Sequence, residues 1–203
     1  MMDGARVTQT ETTGRIGPNA ILQTIAILDR YEGRVMRDLV METAGVAVPP
    51  PDAGMWPEAD CAAVHHALRL CLPDRAEGLL RLSGLATGDY ILRHRIPRAA
   101  QGMIRLLPGF LGARILVAAI TRHAWTFAGS GTFRVMGWHP LTFEVTSNPL
   151  IRGEAADHPI CHWHAAVFER LLARLCWPRV IVSETACAAT GAPACRFEVS
   201  PRG

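Results

Sequence analysis

The chain has 203 residues, about half of them apolar, which suits one domain, or one domain with an appendage, around a real core. A formal net charge of only +3 gives no case for nucleic-acid binding. All 21 basic residues are arginine, which reads most simply as coding bias, although guanidinium forks also suit carboxylate ligands.

Six cysteines are present, and the N-terminal stretch is polar and Thr-rich, with no apolar core of a signal peptide. That combination predicts a reducing, cytoplasmic location rather than a disulfide framework. The longest apolar stretch, 103–120, is broken by Arg105, Pro108 and Arg114. It is a poor membrane span, but a helix there suits peripheral contact with a membrane surface or a greasy ligand.

In chain order, residues 1–15 read as a disordered tail and 16–203 as one domain. A helix is predicted over 18–31, with Pro18 in its first turn and Ile21, Ile25 and Leu28 as its apolar stripe. Gly33 interrupts it, and a second helix over 34–43 ends at Gly45. A Pro-rich loop follows over 46–57, with Pro49-Pro50-Pro51 as a stiff spacer. A helix over 58–72 stops at Pro73, and Asp74 is expected to cap the next, which runs to about Arg95. A short helix over 98–107 and a longer one over 110–127 close at Gly129-Ser130-Gly131. His65-His66 reads as a solvated helix face.

The pattern then changes. Strands over 132–136 and 141–146 flank Gly137-Trp138-His139-Pro140, a hairpin signal. A polar loop over 148–157 leads to a helix over 158–176, in which Val167, Leu171 and Leu175 are spaced by four. Glu169 and Arg174 on it read as surface charges. Strands over 180–185 and 195–199 are joined by the Ala/Gly/Pro-rich loop 186–194. The expected class is α+β: N-terminal helices packed on a small antiparallel sheet, with a C-terminal β-β-α-β-β unit.

On this reading Cys161 lies in the first turn of the last long helix, Glu184 and Cys187 at a strand end, and Cys195 at the start of the returning strand. Antiparallel strands bring the last three together, and the helix packed on them can bring Cys161 down. Thiolate and carboxylate are both zinc ligands, and four of them make a closed tetrahedral site. Ordinary buried cysteines are the plain alternative.

The run Cys161, Ser183-Glu184-Thr185-Ala186-Cys187, Gly191 and Cys195-Arg196-Phe197 resembles the vinyl-4-reductase domain family, over about 132–199. That domain also occurs in the phenol-sensing regions of aromatic-responsive transcription activators, where three Cys and one Glu hold zinc in this order. Here 22 residues separate Cys161 from Glu184, two separate Glu184 from Cys187, and seven separate Cys187 from Cys195. The resemblance implies a structural zinc at Cys161, Glu184, Cys187 and Cys195, with His162 or His164 in place of Glu184 as the alternative. Over its whole length the chain resembles the small single-domain bacteriochlorophyll 4-vinyl reductases of purple phototrophs. That implies a part in saturating a vinyl group of a tetrapyrrole. By the same analogy the porphyrin-binding subunit of magnesium chelatase is an expected partner, and the dimeric sensors make a homodimer an expectation.

No GxGxxG follows a strand and no cysteine set matches an iron–sulfur pattern. No catalytic residue stands out. A carrier of a Mg-porphyrin or chlorophyllide-type pigment needs apolar surface, cations for carboxylates and an axial ligand. Residues 103–120 supply the first, Arg105 and Arg114 the second, and His123, Trp125, Trp138 and His139 are candidates around the ring. The same apolar stripe also reads as plain core. The expected function is pigment carriage. The alternatives are a genuine NADPH-dependent vinyl reductase and a module that senses small aromatic molecules.

Overall fold

The computed structural model describes residues 14–202. Of the N-terminal tail, residues 1–13 lie outside this range. Arg15–Ile16 forms a short strand, β1, antiparallel to β2 at Trp56–Pro57. Between them run α1 (Asn19–Tyr31) and α2 (Arg34–Ala44), the latter ended by Gly45 in the left-handed conformation. Four helices follow: α3 (Glu58–Cys71), α4 (Pro73–His94), α5 (Arg98–Leu106) and α6 (Gly109–Arg122).

Three local expectations are corrected. Asp74 does not cap α4; Leu72 is the N-cap without a side-chain bond, and Pro73 fills the first turn. The helix expected over 110–127 breaks at His123, which leaves helical geometry at ψ 14°, and a single turn, α7 (Trp125–Ala128), follows. His65 is not on a solvated face. It is buried, and its Nε2 lies 3.0 Å from the Ala20 carbonyl where α1 crosses α3.

The C-terminal part is a four-stranded antiparallel sheet in the order β3-β4-β6-β5, formed by β3 (Thr132–Trp138), β4 (Leu141–Thr146), β5 (Val180–Ala186) and β6 (Cys195–Pro201). Phe143 and Val145 of β4 and Phe197 and Val199 of β6 turn inward, the alternation expected of a sheet with one buried face. Helix α8 (His162–Leu175) covers that face. It starts four residues later than the sequence suggests. Pro159 favours an extended residue before it, and the Cys161 N–H is given to Glu184 Oε2 at 2.7 Å.

The N-terminal helices reach the sheet chiefly through α8. Helix α4 lies against it through Gly84 and Gly88, one turn apart. A Cβ on Gly84 would sit 2.4 Å from the Trp163 carbonyl oxygen, and one on Gly88 would sit 2.6 Å from Arg170 Cβ. Glu169 is not a free surface charge. It pairs with Arg81 of α4 at 2.5 Å and accepts the Val182 N–H of β5 at 3.1 Å, tying three elements together. Between α8 and the sheet, Phe127, Phe133, Phe143, Phe168 and Phe197 pack as edge-on or tilted rings at 5.0–5.8 Å.

A buried carboxylate locks the two halves. Glu58 opens α3 yet is almost fully enclosed. It accepts the Ser130 N–H at 2.8 Å and the Ser130 hydroxyl at 2.5 Å, and pairs with Arg152 at 2.8 Å. Burial works to raise its pKa, but these donors outweigh that and hold it below the ordinary value.

Candidate metal centre and cationic cleft

The sheet and α8 bring Cys161, Glu184, Cys187 and Cys195 together, with one ligand atom of each within 4.8 Å of every other. Cys161 supplies its sulfur from the N-cap of α8. Glu184 and Cys187 straddle the end of β5, where a bulge between Glu184 and Ala186 shifts the register against β6. Cys195 is the first residue of β6. Cys161 Sγ lies 3.4 Å from Cys195 Sγ and 3.9 Å from Cys187 Sγ. A tetrahedral Zn²⁺ with Zn–S near 2.3 Å has S···S edges of about 3.8 Å, so these spacings suit it.

The polar atoms around the cluster point the same way. Glu184 uses Oε2 for the Cys161 N–H, while its Oε1 is buried without a hydrogen-bond partner. Asn148 Nδ2 donates to Cys161 Sγ at 3.3 Å and approaches Cys195 Sγ at 3.7 Å, and the Ala188 N–H donates to Cys195 Sγ at 3.4 Å. Donors aimed at sulfur favour thiolate and orient ligands.

Without a cation the cluster cannot hold four negative charges. Burial pushes the Cys161 thiol well up and Glu184 up to about 7. The Cys161 contact lowers Cys195, but the Cys187 sulfur and burial outweigh it and carry Cys195 up to about 12. Hydrogen bonding from Cys161 leaves Cys187 as the one strongly lowered thiol. A divalent cation is the charge that would let all four act as anionic ligands.

Neither histidine considered in place of Glu184 joins the set. His162 turns toward Glu77, 3.9 Å away. His164 is buried beside Asn148 and the phenylalanine cluster, and burial lowers its pKa to about 4. Asn148 was missed by sequence reasoning; the only sequence signal is an Asn before Pro149 in the loop after β4.

The candidate pigment residues fall in separate places. Arg105 lines a cleft of about 780 Å³ together with Asp89, Leu92, Arg93, His94, Arg98, Gln101 and Arg174. Its Nε donates to the Arg174 carbonyl at 3.0 Å and its Nη2 to Gln101 Oε1 at 3.3 Å. Asp89 is engaged by Arg170 at 3.3 Å. Among the described residues none of Arg93, Arg98, Arg105 and Arg174 pairs with a carboxylate, and with Asp89 turned to Arg170 the lining is net cationic. Arg114 stacks over Trp138 with its guanidinium 5.1 Å from the ring centre. His123 and Trp125 stand exposed at the end of α6 and in α7, and His139 is exposed in the hairpin turn. His123 Nδ1 is bonded to the Ala119 carbonyl at 2.9 Å, leaving Nε2 as the nitrogen available to a ligand.

The vinyl-4-reductase domain matches residues 141–201, the part that carries all four ligand candidates. The chain is 60% identical over 202 residues to the "Bacteriochlorophyll synthase 23 kDa chain" of Rhodobacter capsulatus, covering 100% of this chain and 94% of that one. It is 58% identical over 189 residues to the protein of the same name in Cereibacter sphaeroides, covering 93% and 92%. Among solved structures it is similar to an H-NOX protein from K. algicida in its Fe(II) unliganded form. The TM-score is 0.60, with 11% identity over 93% of this chain and 97% of that one, a likeness of fold alone. The resemblance read from Cys161, Glu184, Cys187 and Cys195 thus holds over residues 141–201, and by its full-length identity to these relatives the chain belongs to the bacteriochlorophyll synthase 23 kDa chain family and bears a vinyl-4-reductase domain.

Proposed function

We propose that the protein acts in bacteriochlorophyll biosynthesis by binding a Mg-porphyrin or chlorophyllide-type tetrapyrrole and passing it to the enzymes of the pathway. The observation that carries the role is the 60% identity over the full chain to a bacteriochlorophyll synthase 23 kDa chain. The cationic cleft supports the ligand class. Such pigments join a flat apolar ring to carboxylates, and Arg93, Arg98, Arg105 and Arg174 offer guanidinium groups free of protein carboxylates. Met103 and Leu106, exposed on α5 with Arg98 and Arg105, provide apolar surface. Arg114 stacked on Trp138, with Trp125, His123 and His139, is the second region of the same proposal; a histidine there would supply an axial nitrogen to magnesium.

In this reading zinc is held by Cys161, Glu184, Cys187 and Cys195. Four protein ligands leave no coordination position for water or substrate, so the metal is a structural staple that fastens α8 to β5 and β6. The porphyrin-binding subunit of magnesium chelatase is the expected recipient or donor of pigment, and a homodimer is the expected assembly.

The test separates carriage from catalysis. Pure protein is incubated with divinyl chlorophyllide and NADPH, and the products are resolved by chromatography. Carriage predicts pigment bound and recovered unchanged; monovinyl product at catalytic yield overturns it.

A further inference from the structure

Between Asp89 and Glu144 the chain contains seven arginines and no acidic residue. That segment carries +7, and the rest of the chain, with fourteen arginines and eighteen acids, carries −4. A mild overall charge therefore hides a strongly polarised molecule. The acid-free segment folds as α5, α6, α7 and β3, together with the end of α4 and the start of β4.

The same segment is where the large apolar side chains are left in water. Of the thirteen such residues exposed among the described residues, eight belong to it. The sharpest point is the corner between α5 and α6, where Leu106 is 87% and Phe110 61% exposed on either side of Pro108-Gly109. This corner is anchored. A Cβ on Gly109 would sit 2.3 Å from Trp177 Nε1, and one on Gly112 would sit 3.1 Å from the Ile104 carbonyl oxygen. Leu111, Ile115, Trp125 and Met136 of the same segment are exposed too, and Arg105, Arg114 and Arg122 are exposed cations on α5 and α6.

We infer that the α5–α6 corner and its arginines form a docking face for an anionic lipid bilayer. Leu106 and Phe110 enter the boundary of the acyl chains, and the guanidinium groups lie among phosphate headgroups. Apolar projections fringed by basic groups are the chemistry of interfacial attachment, and no helix among the described residues is long and apolar enough to cross a membrane. A second copy is the poorer occupant. A two-fold contact sets the same patch against itself, which would place arginines against arginines with no carboxylate of this segment to answer them. The inference does not rest on pigment binding; a protein without tetrapyrrole affinity would dock equally.

The test is co-sedimentation of the full chain with vesicles of phosphatidylcholine alone, or with about one-third phosphatidylglycerol. The expected result is a bound fraction at least tenfold greater on the anionic vesicles, released by salt. The double variant Leu106→Glu, Phe110→Glu should fall to the level seen with neutral vesicles, its circular dichroism unchanged because both side chains are exposed. Val35→Glu, at a residue 86% exposed on α2, should bind as the parent does. Equal binding to both vesicle types, no binding to either, or equal loss in Val35→Glu would overturn the inference. So would a concentration-dependent dimer that the Leu106→Glu, Phe110→Glu variant abolishes, which would assign the face to self-association.

Discussion

Two glycines of α4 should respond to the same substitution with opposite sign. Gly78 is exposed and has nothing within 4 Å of where a Cβ would stand, whereas a Cβ on Gly84 would meet the Trp163 carbonyl oxygen at 2.4 Å and Ala166 Cβ at 2.8 Å. In a helix interior, alanine is favoured over glycine by about 1 kcal/mol. Gly78→Ala receives that gain undiminished. At Gly84 the opposing atom is backbone, so it cannot swing aside as a flexible side chain would. Restoring an ordinary 3.4 Å contact requires α8 to retreat by about 1 Å. That motion pulls Phe168 out of its ring contacts with Phe127 and Phe143 and shifts Cys161 at the head of α8. Overpacking costs about 1–3 kcal/mol, and an opponent that is backbone at 2.4 Å puts Gly84 in the upper part, about 2–3 kcal/mol, so Gly84→Ala should lose about 1–2 kcal/mol net after the propensity gain. For a chain of this size 1 kcal/mol corresponds to roughly 2–4 °C in Tm. Thermal unfolding followed by circular dichroism should show Gly78→Ala rising by about that amount and Gly84→Ala falling by about 2–8 °C. If both variants rise together, α4 and α8 are not in backbone contact and the account of how the helices reach the sheet fails.

Three further outcomes follow from the site and the core. Purified protein should contain about one zinc per chain, and Cys187→Ala or Cys195→Ala should lose both metal and cooperative unfolding; elemental analysis reads the first and calorimetry the second. Asn148→Ala removes the amide that donates to Cys161 and keeps all four ligands, so zinc affinity should fall by about 10–100-fold in a chelator competition. His65 is held neutral by burial, with its pKa lowered to about 3, while the unfolded chain protonates it near the ordinary 6.5. Its contribution is therefore complete above about pH 6.5 and drains as the pH falls from there toward 3, by at most about 1.4 kcal/mol per pH unit. Urea unfolding between those limits should show a shallower pH slope in His65→Gln, and an unchanged slope would mean that His65 is not sealed in the core.

The elements marked by a long period or by turn residues were legible. The stripe of Val167, Leu171 and Leu175 gave α8, and the turn residues Gly137-Trp138-His139-Pro140 and the Ala/Gly/Pro-rich loop 186–194 gave the strands that flank them. What escaped depends on partners distant in sequence. The β1–β2 pair is too short for any periodicity to register. His65 reads as exposed because its own helix is polar there; α1, 45 residues earlier, supplies the lid and the carbonyl. Gly84 and Gly88 look like weak points in a helix until α8 is laid against them. The four metal-ligand candidates were named by resemblance to a family, since an order of one Cys, one Glu and two Cys at these separations has no generic signature. Asn148 had none either, because its role exists only where the loop after β4 passes the sulfurs. The charge polarity between Asp89 and Glu144 was open to a simple count, but the mild total concealed it.

The central claim, that this chain binds a tetrapyrrole, is tested most directly by an absorbance titration of purified protein with Mg-protoporphyrin or chlorophyllide. The account predicts a saturable shift of the pigment bands at about one pigment per chain, in the micromolar range or tighter. Arg105→Ala together with Arg174→Ala, in the cleft whose arginines meet no protein carboxylate, should weaken it about tenfold or more without loss of fold. Bands that shift only in proportion to added pigment, identically for the parent, the variant and an unrelated protein, would contradict the claim.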